Sequence, residues 1–393
     1  MDPVRNPFAP GAGSTPPELA GRDDVISNAK IALQRAIIGN HARSQLLLGL
    51  RGTGKTVLLT TIEQLAATQD HVTSMIEAPE SGALPALLFP KLQQVLRRLS
   101  LVERSRVGAH QAFRALRSFA SAWKIKIGDI SIAVEPEAGV ADSGDLETDL
   151  AELFVKIGQA AQSAGRGWTL LIDEVQYLAA GELAALIVAI HRVNQLRLPV
   201  LFFGAGLPQV AALSGNAKSY AERLFDYPVI GALDFDAACA AIEQPIRDQG
   251  EAITPTALRA IADATQGYPY FLQEWGYQAW QLAAASPIEV DHVKAATVQA
   301  LRRLDAGFFR VRLDRLTDSE QDYVLAMASI GSGPYRSREI ADKLKTTTQA
   351  VGPRRDQIIK KGMIYSIRHG QLDFTVPMFD DFLRRTYTIQ RAT

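Results

Sequence analysis

Strands alternating with helices, a glycine-rich phosphate-binding sequence at one strand-to-helix junction, and an acidic pair closing another strand predict an α/β fold. The expected core is a doubly wound parallel P-loop sheet, followed by a small helical lid and a C-terminal winged helix-turn-helix. The chain has 393 residues, 47% of them hydrophobic, enough to bury a sizeable core in two or three domains. Its 42 basic and 42 acidic side chains cancel, so no global field draws it to nucleic acid or an anionic membrane, and any such surface must be local. One cysteine, Cys239, excludes an internal disulfide and any Cys-based zinc cluster, and suits a reducing compartment. No apolar run approaches the ~18 residues of a membrane span, and residues 1–17 are rich in Pro and Gly without an apolar signal core. A cytoplasmic protein with no membrane partner is expected.

The element order supports that fold. Residues 1–17 lack periodicity and read as an extended arm, and residues 23–38 carry apolar side chains at helical spacing. Leu46-Leu47-Leu48 is a short apolar strand; the glycine loop follows, then the helical pattern Val57, Leu58, Ile62, Leu65. Residues 71–77 read as a strand and 84–101 as a helix. Between 123 and 134 the period changes to two around Gly128-Asp129, which predicts an inserted hairpin. A helix over 146–164, a buried strand over 168–172 ending in Asp173-Glu174, a helix over 183–196 and a strand over 198–203 closed by Gly204-Ala205-Gly206 continue the alternation. The last core strand is expected at 227–230. Four helical patterns then occupy 237–304, and 316–386 runs helix, helix, helix, hairpin. The expected parts are the arm at 1–17, the core at 18–232, the lid at 233–305 and the winged helix at 306–393.

The chemistry is carried by Gly49-Leu50-Arg51-Gly52-Thr53-Gly54-Lys55-Thr56. Gly49, Gly52 and Gly54 let the backbone curl its N–H groups, with those of Arg51, Thr53 and Val57 nearby, around phosphate oxygens at a helix N-terminus whose dipole favours anions. Lys55 is expected to reach the β and γ phosphates of ATP, and the Thr56 hydroxyl to ligate Mg2+. Asp173, at the C-terminal end of its strand where such sheets hold ligands, is expected to hold Mg2+ through water. Glu174 is placed to polarise the attacking water. The six histidines lack metal-ligand spacing.

On these motifs and their order the chain resembles the AAA+ ATPases, in particular the origin-recognition replication initiators and the STAND-like signalling ATPases. The resemblance implies that Asn6-Pro7-Phe8 and Leu19-Ala20-Gly21-Arg22 flank the adenine, with Arg22 in the nucleotide site. Three departures bear on mechanism. The family carries a polar residue at the end of the strand over 198–203 to position the lytic water, whereas Gly204-Ala205-Gly206 stands here, so slow turnover is expected. The lid has Gln266-Gly267-Tyr268-Pro269, similar to the Gly-x-Pro element of STAND proteins, which implies a nucleotide contact through Pro269. Arg223 stands by position where the family places an arginine finger, which implies a homo-oligomer or a partner ATPase supplying that charge in trans.

At the C-terminus, Thr317-Asp318-Ser319-Glu320 is a capping box opening a helix. A second helix spans 337–344, and the third is expected to begin at Pro353, where proline suits a first turn. A wing follows over 363–376, turning at His369-Gly370. Residues 301–393 hold seventeen basic against eleven acidic side chains, so charge is segregated there. Arg354, Arg355, Lys360, Lys361, Arg368 and His369, with Lys345, fit phosphate contacts to duplex DNA. The expected function is an ATP-binding, slowly hydrolysing switch coupling nucleotide state to assembly and DNA binding. The alternative is a STAND-like signalling or defence ATPase whose winged helix contacts a protein effector.

Overall fold

In the computed structural model, residues 1–11, 16–125, 136, 139–368 and 370–387 are described. Most of the hairpin expected at 123–134 lies outside the described residues, as does His369. The chain forms two compact units: an α/β unit of Asp23–Gly49 and Lys55–Ile230, and a helical unit of Met1–Arg22, Leu50–Gly54 and Gly231–Thr393.

The α/β unit contains α1 (Asp23–Ile37), β1 (Ser44–Leu48), α2 (Lys55–Thr68), β2 (His71–Glu77), α3 (Leu84–Ser100), α4 (Arg106–Ala122) and α5 (Leu146–Ala164). It continues with β3 (Gly167–Asp173), α6 (Ala180–Gln195), β4 (Val200–Gly206), α7 (Val210–Ala217), α8 (Ala221–Leu224) and β5 (Phe225–Asp226). The sheet order is β2-β3-β4-β1-β5, every pair parallel. Strands β1, β3 and β4 are buried at every position, which is why they read as continuous apolar runs. Successive residues face opposite layers. Leu47, Leu171, Leu201 and Phe203 pack with α1 and α2, and Leu46, Leu170, Ile172 and Phe202 pack with α3 to α6. The chain leaves β1 for the far edge and later returns past it to β5, so a crevice opens at the C-terminal ends of the central strands, where such sheets bind ligands.

Three features of this unit depart from expectation. Helix α4 was not foreseen, although Ala109, Ala112, Leu116 and Phe119, all fully buried, carry the helical spacing. Gly204-Ala205-Gly206 lies inside β4, paired with Leu46 to Leu48 of β1, instead of closing a strand at 203. A Cβ at Gly204 would sit 2.5 Å from the Leu46 side chain, so glycine there permits close strand packing. The last strand is short and earlier than 227–230. Phe225–Asp226 pairs with Ser44 and Gln45, and only a single parallel bridge joins Val229 to Leu48.

The helical unit contains α9 (Phe235–Asp248), α10 (Pro255–Thr265), α11 (Pro269–Leu282) and α12 (Val290–Arg303), then a π-helical turn at Leu304–Phe309 running into α13 (Arg310–Leu313). After it come α14 (Asp318–Ala328), β6 (Tyr335–Arg336), α15 (Ser337–Lys343), α16 (Thr348–Lys360), β7 (Ile364–Arg368), β8 (Gln371–Phe374) and α17 (Phe379–Tyr387). The capping box at Thr317 and Glu320 opens α14. Helix α16 does not wait for Pro353: it starts at Thr348, capped by the Thr347 hydroxyl accepting the Ala350 N–H at 3.3 Å, and runs through the proline. The cap satisfies a first-turn donor, so the helix tolerates the one bond that proline removes. The hairpin β7-β8 gains a third strand, β6, giving the antiparallel order β6-β8-β7.

Buried residues on both sides of position 305 share one hydrophobic core. Phe309 stacks on Phe382 of α17 at 5.3 Å, and Phe308 stacks on Tyr270 of α11 at 4.6 Å. The N-terminal arm is likewise packed. Phe8 is buried against Gly276, where a Cβ would lie 2.8 Å from its ring, and Trp280 Nε1 donates to the Asp2 carbonyl at 2.8 Å. Phe8 is therefore part of the hydrophobic core of the helical unit.

Candidate functional site: a phosphate loop and its acidic strand end

In the α/β unit, Gly49 is tied to the end of β4, its N–H donating to the Gly206 carbonyl at 3.0 Å. Lys55, buried, opens α2. The Thr56 hydroxyl donates to Asp173 Oδ2 at 2.5 Å, and Asp173 Oδ1 accepts the Glu174 N–H at 2.8 Å. Burial pushes the Asp173 carboxyl above its ordinary range, while hydrogen bonds from Thr56 and Glu174 and the charge of Lys55 pull the other way. A carboxylate that is only 4% exposed, beside a hydroxyl, is a hard-oxygen pair suited to a divalent cation such as Mg2+. Among the described residues no group of three or more His, Cys, Asp or Glu side chains could hold a metal. A cation held by Thr56 and Asp173 would therefore complete its shell with phosphate oxygens and water.

A stability consequence follows from that raised carboxyl. Above its folded-state pKa the ionised Asp173 carries the full burial penalty; the penalty shrinks as pH falls towards the ordinary aspartate value and is absent below it. Asp173→Asn should therefore raise the Tm of the nucleotide-free protein at neutral pH, by a margin that shrinks as pH falls towards 4. Thermal unfolding at pH 7.5 and pH 4 measures this, and a lower Tm for the variant at neutral pH would contradict it.

Glu174 adopts a left-handed backbone, φ 55°, on leaving β3. Its carboxylate accepts a short hydrogen bond from the Gln176 side-chain amide, whose Oε1 accepts the Leu207 N–H at 3.1 Å. Gly206 makes this arrangement fit, because a Cβ there would lie 2.8 Å from Gln176 Oε1. The Gln176 amide thus bridges Glu174 and the end of β4, where the strand itself carries no polar side chain. Sequence reasoning passed over Gln176, since only the register of Gly206 gives it a role.

In the helical unit, Leu50–Gly54 is held by groups distant in sequence. Gly52 has φ +84°, a conformation that side chains disfavour, and a Cβ there would meet the Tyr268 ring at 3.1 Å and Tyr270 Cβ at 3.2 Å. The Tyr268 hydroxyl donates to the Arg51 carbonyl, and the Tyr270 N–H donates to the Gly52 carbonyl at 3.2 Å. The Arg51 N–H donates to the Thr375 carbonyl, just beyond β8, at 3.2 Å. The Arg51 guanidinium packs on Gly362, where a Cβ would lie 2.5 Å from Nη2. Arg312 stacks on the Phe308 ring at 3.8 Å and donates to the Phe308 carbonyl at 3.0 Å. Burial, then the neighbouring charge of Arg51, lowers its pKa to about 10. Arg22 donates to the carbonyls of Thr53 at 3.3 Å and Gly231 at 2.5 Å, and burial lowers its pKa. Pro269 opens α11 directly after Tyr268.

The remaining predicted residues divide. Arg223 is exposed on α8; nearby Asp226 pairs with Arg43 at 3.0 Å. Val57 is half-buried in α2. Lys361 is a structural residue: it pairs with the buried Glu320 carboxylate at 2.7 Å and donates to the Arg315 carbonyl at 3.0 Å, so its charge is spent inside the fold. Arg355 pairs with Asp356 at 3.0 Å, and Arg368 donates to Gln371 at 2.8 Å. Lys345 and Lys360 are exposed and Arg354 is half-buried.

The sheet order, the phosphate loop and the Asp173-Glu174 strand end make this an AAA+ P-loop fold. Residues 18–203 match the AAA ATPase domain, and residues 306–383 match a domain of unknown function (DUF8462). Among solved structures, the chain is similar to the Walker-type ATPase Paby2304 of Pyrococcus abyssi at 17% identity and TM-score 0.57, covering 94% of this chain and 98% of that one. It is also similar to the ORC2 protein of Aeropyrum pernix, solved as ADPNP-ADP complexes, at 14% identity and TM-score 0.51, covering 98% of each. No curated protein sequence matches it significantly. Residues 18–203 thus carry an AAA ATPase domain, and the chain shares its fold with these two solved proteins. The AAA ATPase domain match supports nucleotide-dependent ATPase activity. Among the described residues no helix is long and apolar enough to cross a membrane.

Proposed function

We propose that the protein is an ATP- and Mg2+-binding switch of low turnover, in which nucleotide state sets assembly and the binding of duplex DNA by a C-terminal winged helix. The observation that carries this reading is the set of partners around Arg51 and Gly52. A loop whose task is to hold phosphate has its carbonyls bound by Tyr268 and Tyr270 and its Arg51 N–H bound by Thr375. Any rearrangement of the loop around phosphate is therefore transmitted to α11 and to the segment after β8. Arg51 and Arg312, two cations held close, add an electrostatic route, because an anion on the loop relieves their mutual repulsion.

Low turnover is supported by Gln176. Its side-chain amide already occupies one carboxylate oxygen of Glu174, which is then not free to engage the attacking water. In this reading Lys55 and the loop amides hold the phosphates, Thr56 and Asp173 hold Mg2+, which supplies charge neutralisation at the phosphates, and Glu174 orients the attacking water. The exposure of Arg223 suits a trans-acting guanidinium in an oligomer. The test is light-scattering mass measurement with ADP or a non-hydrolysable ATP analogue, with and without duplex DNA. A nucleotide-dependent change in mass or in duplex affinity is expected. The same mass and affinity in every state would overturn the switch.

A further inference from the structure

The C-terminal part of the helical unit carries a groove of about 670 Å³ outside the phosphate-loop region. Three arginines from separate places in the fold line it: Arg336 at the end of β6, Arg338 in α15 and Arg355 in α16. Arg336 and Arg338 are exposed, and among the described residues neither is paired with a carboxylate. Between them sits Ser337, only 8% exposed, a residue of the groove wall whose buried hydroxyl has no hydrogen-bond partner within the fold. A buried hydroxyl left without a partner is costly, so its place in the wall of an arginine-lined groove is best explained by an acceptor or donor on a ligand. Thr348 and Gln349, from the first turn of α16, add polar groups to the same wall.

We propose that this groove, and not the Lys360–Lys361 end of α16, holds the sugar-phosphate backbone of a nucleic-acid duplex. Arg336 and Arg338, with no carboxylate partner among the described residues, suit successive phosphates of a polyanion, whereas Arg355 is held by Asp356 at 3.0 Å. Arg336 and Arg338 take phosphates, the Ser337 hydroxyl donates to a phosphate oxygen, and Gln349 stands beside them as a polar contact. Lys361 cannot share the role, since Glu320 already holds it. The inference rests on the reading of this region as DNA-binding.

The test uses the full chain with a fluorescent 30-base-pair duplex, titrated at several salt concentrations in each nucleotide state. Arg336→Ala/Arg338→Ala should lower affinity at least ~10-fold and reduce the steepness of the salt dependence by about 2, while Lys360→Ala costs much less. Ser337→Ala should weaken binding several-fold without lowering the Tm, a combination that a purely structural serine does not produce. If the wild type binds but the double variant and Ser337→Ala bind equally well, the groove is overturned and the DNA reading stands. If the wild type binds no duplex at low salt in any nucleotide state, or retains only a phosphorylated peptide, the DNA reading falls and the groove assignment with it.

Discussion

Glu174→Gln should cut steady-state ATP hydrolysis by about 10²–10⁴-fold while leaving ATP affinity nearly unchanged. The substitution keeps the size and the polar oxygen of the side chain but removes its capacity to take a proton or polarise water. The groups proposed to hold phosphate and cation are elsewhere: Lys55 opens α2, and the Thr56 hydroxyl donates to Asp173. Loss of turnover with binding retained is therefore the signature of a group acting on water alone. Single-turnover hydrolysis with a parallel nucleotide-binding titration separates the two quantities. If the variant hydrolyses ATP at the wild-type rate, Glu174 is not the residue that acts on water. If binding is lost with turnover, the left-handed turn at Glu174 serves to shape the pocket. The variant is also the natural tool for holding the protein in its ATP state when mass and DNA binding are measured.

Much of this site was legible because it is local. The phosphate-loop sequence, its flanking strand and helix, and the acidic pair after an apolar run each lie within one short window, where spacing and chemistry suffice. What sequence reasoning passed over depends on contacts between distant residues. Gln176 acquires its role only because Gly206 of β4 has no side chain to occupy the same space. Lys361 looked like any basic residue near a recognition helix, and its pairing with Glu320, forty-one positions earlier, carries no local signal. The N-terminal arm lacked periodicity because Phe8 contributes one anchor to a notch at Gly276 rather than a repeating face. Helix α4 is a different case. Its alanine-rich apolar stripe was readable, but alanine contributes little to a hydrophobic pattern even when buried. Pro353 marks no boundary because the Thr347 cap opens the helix earlier and buried Val351 and Ile358 anchor it on either side of the proline.

Gly267→Ala should destabilise the helical unit by about 3 kcal/mol and disconnect the loop from its reader. Gly267 has φ +68°, and a Cβ there would lie 2.2 Å from the Leu233 carbonyl oxygen. That atom belongs to backbone, and the Leu233 N–H in turn donates to the Gly267 carbonyl at 2.8 Å, so neither strand of chain can yield without breaking the other's bond. Left-handed strain costs roughly 1–3 kcal/mol, and a forced displacement of packed backbone adds about as much. The residue that moves first is Tyr268, whose hydroxyl holds the Arg51 carbonyl. The variant should therefore lose nucleotide-dependent changes in the C-terminal region in addition to thermal stability. Gly352→Ala is the matched control, because Gly352 lies within α16 with open space around its missing Cβ, where alanine is neutral or stabilising by about 0.5–1 kcal/mol. Urea unfolding of both variants, with hydrogen exchange across 365–387 in ADP and ATP-analogue states, reads the two consequences separately. A Gly267→Ala protein as stable as wild type would mean that the Leu233 backbone does not lock this turn. Normal stability loss with an intact nucleotide response would show that the loop communicates through Thr375 and Gly362 rather than through Tyr268.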